Sequence, residues 1–591
     1  MIMKLTRKIL ALLLCLTMVL GMATTAFAAG GHVHYISIEN NRAGYVYEAY
    51  QIFAGEVDAT GVLSNITWGS AIPAASIDTM MTELKTVPAF ASCTDVDSVA
   101  AVLASASLSL DDPIAIAFAD VVSKYATVSA GTSSFKSDTG KYTIPNLEDG
   151  YYLVKNTAVP EGANTTYTRY ILKVVADVNV AHKGSFPTVE KKIVEGGAEL
   201  DTSEGFIGQV VNYKIEGTLP NNIDVYDTYY YVFRDTLSKG LTFNNDVKVT
   251  VNGVDVTKYF YKEATAYPGT GDKYEGGTSL MVGIQDLLAL ELLADPAVGA
   301  ITHATEVVLT YSATLNEDAI VGTFEGNPNK VYLEYDNNPN NDGDGATTPP
   351  PPNPDKPTPV EPVGETPEDE VVTFTTELTI QKVDGTGKAL TGAEFTLTSD
   401  QNVSMSVVTK YTFTEDAAGE YWKLNDGTYT KAAPVADDPS TPDINESTEA
   451  SYASTTTKYK VTPVVTVTPV SPAAPYNVTA EVDENGLVSF TGLGAGTYTL
   501  TETKTPAGFN TMDPITFTIE FSYDSAQERW EFYAFGVAQD VDNTLSMEIQ
   551  NVAGSTLPST GGMGTTLFYV FGSIMVIGAV VLLITKKRMS V

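Results

Sequence analysis

Apolar and polar positions alternate with a period of two along most of the chain, in short runs rich in Val, Ile, Thr, Tyr and Phe that Gly, Asn, Asp and Pro interrupt. This pattern predicts antiparallel β-sandwiches. A helical period is confined to Ile77 to Leu84, Asp95 to Ala106, Pro113 to Tyr125 and Ile284 to Leu293. Most of these lie in the N-terminal third, which is therefore expected to be a strand scaffold carrying inserted helices. At 591 residues the chain is too long for one core. Composition breaks fall near Lys183 to Pro187 and across Asn337 to Glu370, where Asn, Asp and Gly give way to Pro349-Pro350-Pro351-Pro352 and then to acidic residues. The expected fold is all-β and multi-domain, with tandem Ig-like sandwiches at 29–183, 184–345 and 372–554. A stiff, solvated Pro-rich acidic linker is expected at 346–371, and a low-complexity insertion at Ala432 to Pro475 in the third domain.

The two ends point to export. Lys4, Arg7 and Lys8 precede an apolar run from Ile9 to Leu20, and Ala26-Phe27-Ala28 supplies small residues for a signal peptidase, so 1–28 reads as a signal peptide. Leu567 to Ile584 is an uncharged apolar stretch long enough to cross a bilayer as a transmembrane helix, and Lys586, Lys587 and Arg588 follow it. Cys15 lies in the signal, so Cys93 is the one cysteine of the mature chain and no intrachain disulfide can form. Stability must come from size, packing or another cross-link. Acidic residues outnumber basic ones 72 to 35, which argues against nucleic acid as a partner.

Directly before the apolar span stands Leu557-Pro558-Ser559-Thr560-Gly561, which matches the LPxTG sorting signal read by sortases. With the span and basic tail in order, 557–591 is a complete sorting region. The resemblance implies cleavage between Thr560 and Gly561 and transfer of the Thr560 carboxyl through a sortase thioester to an amine. The chain is then a substrate and not an enzyme; no Gly-rich phosphate loop and no nucleophile with a histidine partner is present.

In the third domain, Tyr498-Thr499-Leu500-Thr501-Glu502-Thr503 followed by Pro506-Ala507-Gly508-Phe509 resembles the "E-box" of collagen-adhesin B-type domains, and Leu378 to Gly385 looks like that family's opening strand. Alternation puts Lys382 with Leu378 and Ile380, Glu502 with Tyr498 and Leu500, and Asn551 with Leu545, Met547 and Ile549. All three polar groups point where apolar residues point. Burial lowers a lysine pKa and raises that of a carboxylic acid, so the amine becomes a neutral nucleophile. Lys382 can then attack the Asn551 carbonyl while Glu502 shuttles protons, releasing ammonia and leaving an isopeptide bond.

In the second domain, Pro187 to Ile193 opens a strand, and Tyr231 to Leu237 with Gly240 to Phe243 resembles the second domain of major pilins. Val189, Lys191 and Ile193 share a face, which selects Lys191 over Lys192, and Asp235 shares the face of Tyr231 and Phe233. Parity admits Asn329 or Asn337 as the amide; the family pattern points to Asn329. The resemblance implies a Lys191 to Asn329 bond with Asp235 as proton shuttle. The first domain departs from the pattern: Gly150 to Asn156 is similar to an E-box, but Asn156 stands where the Glu would be and His34 to Glu39 has no Lys. No cross-link is expected there.

Val178-Asn179-Val180-Ala181-His182-Lys183 sits where major pilins carry a pilin motif, with Ala181-His182 in place of Tyr-Pro. The resemblance makes Lys183 the acceptor amine, with Lys173 and Lys192 as fallbacks. Taken whole, the chain resembles the sortase-assembled major (backbone) pilins of Gram-positive bacteria. That implies a covalent shaft in which Thr560 of one subunit joins Lys183 of the next. The implied partners are identical subunits, pilus and housekeeping sortases, ancillary pilins and peptidoglycan, with a host surface ligand as an optional addition. The competing reading is a monomeric wall-anchored adhesin or ancillary pilin. No cofactor and no metal is expected: His32 and His34 share a strand face without a completing ligand, and Pro349 stands where a calcium loop beginning at Asn338 needs its Glu.

Overall fold

The computed structural model describes residues 33–553 apart from 58–60, 106–111, 161, 163, 183, 324, 340–344, 360–362, 436–450, 525–528, 535–537 and 540–544. In the first unit, Val46–Val57, flanked by Leu63–Trp68 and Gly150–Ala158, anchors one sheet, and His34–Glu39, between Lys141–Leu147 and the parallel Val178–Ala181, anchors the other. Helices form at Ile77–Leu84, Val96–Ser105 and Pro113–Tyr125. The third is started by Asp112, whose Oδ1 accepts from the N–H of Ile114 at 2.9 Å, with Pro113 at the first position where no N–H is needed. Their apolar faces, including Met80, Leu84, Leu103, Phe118 and Val122, cover Ile52, Phe53 and Leu153 of the Val46–Val57 sheet. The fourth helical pattern is shorter than its periodicity predicts. Ile284 is held in a strand opposite Tyr231, and only a 3-10 turn forms, at Leu288–Leu292.

The second unit is a sandwich of two seven-stranded sheets. Val189–Glu195, Val210–Gly217 and Val307–Leu315 are neighbours in one sheet; Tyr231–Leu237 and Asn327–Asp336 are neighbours in the other. Tyrosines and branched aliphatics from both faces fill the space between them.

The stretch expected as a free linker is attached to this unit. Asn353 donates its backbone N–H to Lys258 O at 2.7 Å, Thr358 and Gln285 exchange hydrogen bonds of 2.7 and 3.0 Å, and Lys356 pairs with Glu263 at 2.6 Å. Val363–Glu365 and Asp369–Phe374 then join the second unit's sheet, the latter between Thr202–Glu204 and Asn327–Asp336. The reason lies in Val371 and Phe374, apolar residues that solvated polymer would leave in water and that the strand buries.

The third unit is built on a nine-stranded sheet in which Thr376–Asp384 lies parallel to Leu545–Asn551 and antiparallel to Leu487–Leu493. Part of the expected low-complexity insertion is a strand, Tyr459–Glu481, paired along Glu394–Glu415. Among the described residues its only other pairing is a bridge from Tyr459 to Tyr421, so Pro463, Pro469, Pro472 and Pro475 forfeit no second ladder.

The second and third units interlock. The loop after Thr202–Glu204 pushes Phe206 into the third unit's core, near Tyr498. Ile207 N–H donates to Gly492 O at 3.1 Å, and Ala495 N–H donates to Glu204 Oε2 at 2.7 Å. Gly208, at φ +93°, is in the left-handed region, and a Cβ there would lie 2.7 Å from Ser404 Oγ. Phe206→Ala is expected to destabilise the third unit by about 3 kcal/mol, seen in calorimetry as a lowered transition for that unit.

Candidate functional site

Strand parity places Lys191 and Tyr311 on the inner face of one sheet of the second unit, and Asp235 and Asn329 on the inner face of the other. Lys191 and Asn329 are 0% exposed and Asp235 2%. Lys191 Nζ contacts Asp235 Oδ2 and donates to the Tyr311 hydroxyl at 2.9 Å. Asn329 Nδ2 donates to the same hydroxyl at 2.7 Å, and the hydroxyl donates to Asp235 Oδ1 at 2.8 Å. Asn329 Oδ1 is buried and has no hydrogen-bond partner among the described residues. The rings of Tyr213 and Tyr311 each lie 5.1 Å from Nζ. Burial holds the Lys191 amine below the usual lysine range, against the attraction of Asp235, and holds the Asp235 carboxyl above the usual range, against the attraction of Lys191. Both shifts favour the neutral pair.

The two amides that parity left open go to different places. Asn329 lies within the sandwich, whereas Asn337 lies past its end and donates from Nδ2 to Thr165 Oγ1 of the first unit at 3.1 Å. Lys192 points outward and pairs with Glu190 and Asp201 at 2.9 and 2.5 Å.

In the third unit the register pairs Lys382 with Ile549 and Asp384 with Asn551, so Lys382 and Asn551 share a face two positions apart on adjoining strands. Lys382 is 0% exposed, Asn551 1% and Glu502 4%. Asn551 Nδ2 donates to Glu502 Oε1 at 2.8 Å, and Met512 N–H holds Glu502 Oε2 at 2.9 Å. Lys382 Nζ donates to Ile549 O at 3.0 Å. Burial lowers the Lys382 pKa, with the Glu502 charge opposing. Asn551 Oδ1, like Asn329 Oδ1, is buried and has no hydrogen-bond partner among the described residues.

In the first unit the buried Asn156 has a local duty. Its Oδ1 accepts from Thr168 Oγ1 at 3.0 Å and its Nδ2 donates to Thr166 O at 3.3 Å, which fixes the loop that meets the second unit. From that loop Tyr167 N–H donates to Asn337 O at 2.7 Å.

Three family models match the chain. Residues 207–339 match the Gram-positive pilin backbone subunit 2, Cna-B-like domain; residues 376–431 and 457–529 match a prealbumin-like fold domain; residues 549–590 match the LPXTG cell wall anchor motif. The chain thus carries pilin-backbone, prealbumin-like and wall-anchor segments and is homologous to backbone pilins of Gram-positive bacteria. The pilin is 25% identical over 427 residues to the trypsin-resistant surface T6 protein of Streptococcus pyogenes serotype M6, covering 69% of this chain and 70% of that protein. Among solved structures, the T6 backbone pilin of serotype M6 Streptococcus pyogenes covers 90% of this chain and 100% of its own at 14% identity and a TM-score of 0.45. The major pilin SpaD from Corynebacterium diphtheriae gives 90% and 100% at 16% identity and 0.41. The homology rests on the domain matches and the T6 relative and not on these superpositions. It places the pilin in the cell wall and surface pilus of a Gram-positive bacterium.

Lys183, the sorting residues Leu557 to Gly561 and the apolar span Leu567 to Ile584 lie outside the described residues. Among the described residues no helix is long and apolar enough to cross a membrane. Two residues of the second-unit site were not anticipated from sequence. Tyr311 bridges the other three, and Asp369, from the supposed linker, accepts the Lys191 backbone N–H at 2.6 Å. Inward parity in Val307–Leu315 marks Tyr311 as buried but not as polar machinery.

His182 packs against Tyr45 and shares a hydrogen bond of 3.0 Å between its Nδ1 and the Tyr47 hydroxyl. Among the described residues its Nε2, which is buried, has no hydrogen-bond partner, and burial holds its pKa down to about 4 from the ordinary 6.5. Between those values the unfolded chain binds a proton that the folded pilin refuses. Stability should therefore be full above pH 6.5 and fall toward pH 4, by up to about 3 kcal/mol. Chemical denaturation of the first unit across that window checks this, and His182→Gln should remove that part of the slope.

Proposed function

We propose that this backbone pilin is the shaft subunit of a covalent, sortase-polymerised pilus. A pilus sortase cleaves after Thr560 and joins its carboxyl to Lys183 of the next subunit; a housekeeping sortase attaches the finished fibre to peptidoglycan, and ancillary pilins join the same polymer. Within each subunit Lys191 bonds to Asn329 with Asp235 moving the proton, and Lys382 bonds to Asn551 with Glu502 in that role. In each case the amine displaces ammonia from the amide, so the reaction occurs once per molecule and is maturation, not turnover. The observation that carries this reading is the repetition, in successive units, of a fully buried lysine in the same core as a buried carboxyl group and a buried asparagine. Each bond closes a loop large enough to stabilise by about 5 kcal/mol on a chain-entropy model.

Intact-mass measurement of the secreted chain is expected to show loss of two ammonias. Lys191→Ala and Lys382→Ala should each retain one, and Glu502→Gln should retain the third unit's. Loss of none from the parent chain would sink the chemistry. Wall extracts boiled in detergent should give a high-mass ladder on a denaturing gel that Lys183→Ala collapses to monomer. A ladder that persists in that variant moves the junction to another lysine, Lys173 being the exposed alternative. A parent that runs as monomer points to the wall-anchored adhesin.

A further inference from the structure

The two cross-linking sites differ in how the acid meets the amide. In the third unit Glu502 reaches Asn551 Nδ2 directly, at 2.8 Å. In the second the acid is one methylene shorter, and its oxygens are taken by Lys191 Nζ and by the Tyr311 hydroxyl. Among the described residues no hydrogen bond joins Asp235 to Asn329. The Tyr311 hydroxyl fills that gap, at 2.9 Å from Lys191 Nζ and 2.7 Å from Asn329 Nδ2, so one oxygen touches both the attacking and the leaving nitrogen.

We propose that Tyr311 is a catalytic residue of the second-unit reaction, passing the proton that Lys191 Nζ sheds to the departing Asn329 nitrogen. This rests on the reading that Lys191 and Asn329 become bonded. Asp235 Oδ2 first takes the proton that leaves Lys191 a neutral amine. The Nζ lone pair attacks Asn329 Cγ, and as that carbon becomes tetrahedral Nδ2 gains a lone pair and turns from donor to acceptor. The hydroxyl hydrogen swings from Asp235 Oδ1 to Nδ2, while the hydroxyl oxygen takes a proton from Nζ. The Cγ–Nδ2 bond breaks and ammonia leaves. Nζ ends with one hydrogen and a new bond to carbon; Tyr311 ends as the hydroxyl it began as, and Asp235 keeps the proton it took. No free phenolate is formed, in keeping with a buried hydroxyl whose pKa is raised well above 10.0, chiefly by desolvation.

Each site thus reaches the amide nitrogen differently: a Glu alone in one, an Asp extended by a tyrosine hydroxyl in the other. Tyr311→Phe removes the oxygen and keeps the ring packed against Tyr213 and Phe243, at 5.2 and 5.6 Å. In the full secreted chain, ammonia loss mapped to the Lys191 to Asn329 peptide pair should slow roughly 100-fold, while loss from the third unit proceeds at the parent rate as an internal control. Asp235→Glu in the Tyr311→Phe chain should recover most of the rate, because the longer acid can reach Nδ2 itself; a purely packing role would gain nothing from it. Lys191→Ala chains with and without Tyr311→Phe should unfold alike. The proposal is overturned if Tyr311→Phe cross-links at the parent rate, if the longer acid gives no recovery, or if the phenylalanine destabilises the Lys191→Ala chain enough to account for the slowing. A parent chain that loses no ammonia from the second unit would instead remove the underlying reading, a result distinct from all of these.

Discussion

An amine enclosed in a β-sheet core has no water to carry its charge, and this constraint organises both candidate sites. Leaving an ammonium alone in such a place costs far more than the few kcal/mol by which a domain is stable. Lys191 and Lys382 are tolerated because each is delivered with a carboxyl group and an amide on facing or adjoining strands. The surrounding tyrosines and aliphatics are as much part of the chemistry as the polar groups, since they exclude the solvent that would keep the amine protonated and unreactive.

Period-two alternation makes much of this legible in the sequence alone. It separated Lys191 from Lys192 and put Asp235, Lys382, Glu502 and Asn551 inward, because a strand has only two faces and a polar residue on the apolar one stands out. It could not separate Asn329 from Asn337: both are inward by parity, and only the end of the sandwich decides that one meets Tyr311 and the other Thr165. Tyr311 itself reads as an ordinary core aromatic, since alternation reports which way a ring points and not what its hydroxyl touches.

Composition was a poorer guide than alternation. The proline and acid content of the segment before Thr376 suggests solvated polymer, yet Val371 and Phe374 at its end turn it into a strand of the second unit. The prolines of Tyr459–Glu481 likewise suggest irregular chain, and are accommodated because that strand lies at an edge. In both cases the deciding fact is which neighbour the backbone finds, a long-range property that local residue counts do not contain.

Between the last strand of the second unit and the first strand of the third there is one residue, Thr375, itself 1% exposed and tied through Oγ1 to Leu493 O at 3.2 Å. With Phe206 seated across the same seam, the halves cannot pivot by rotating a tether; bending must extract a phenyl ring or unzip a ladder. A joint of this kind passes torque as well as tension, so a twist applied to one unit is felt by its neighbour.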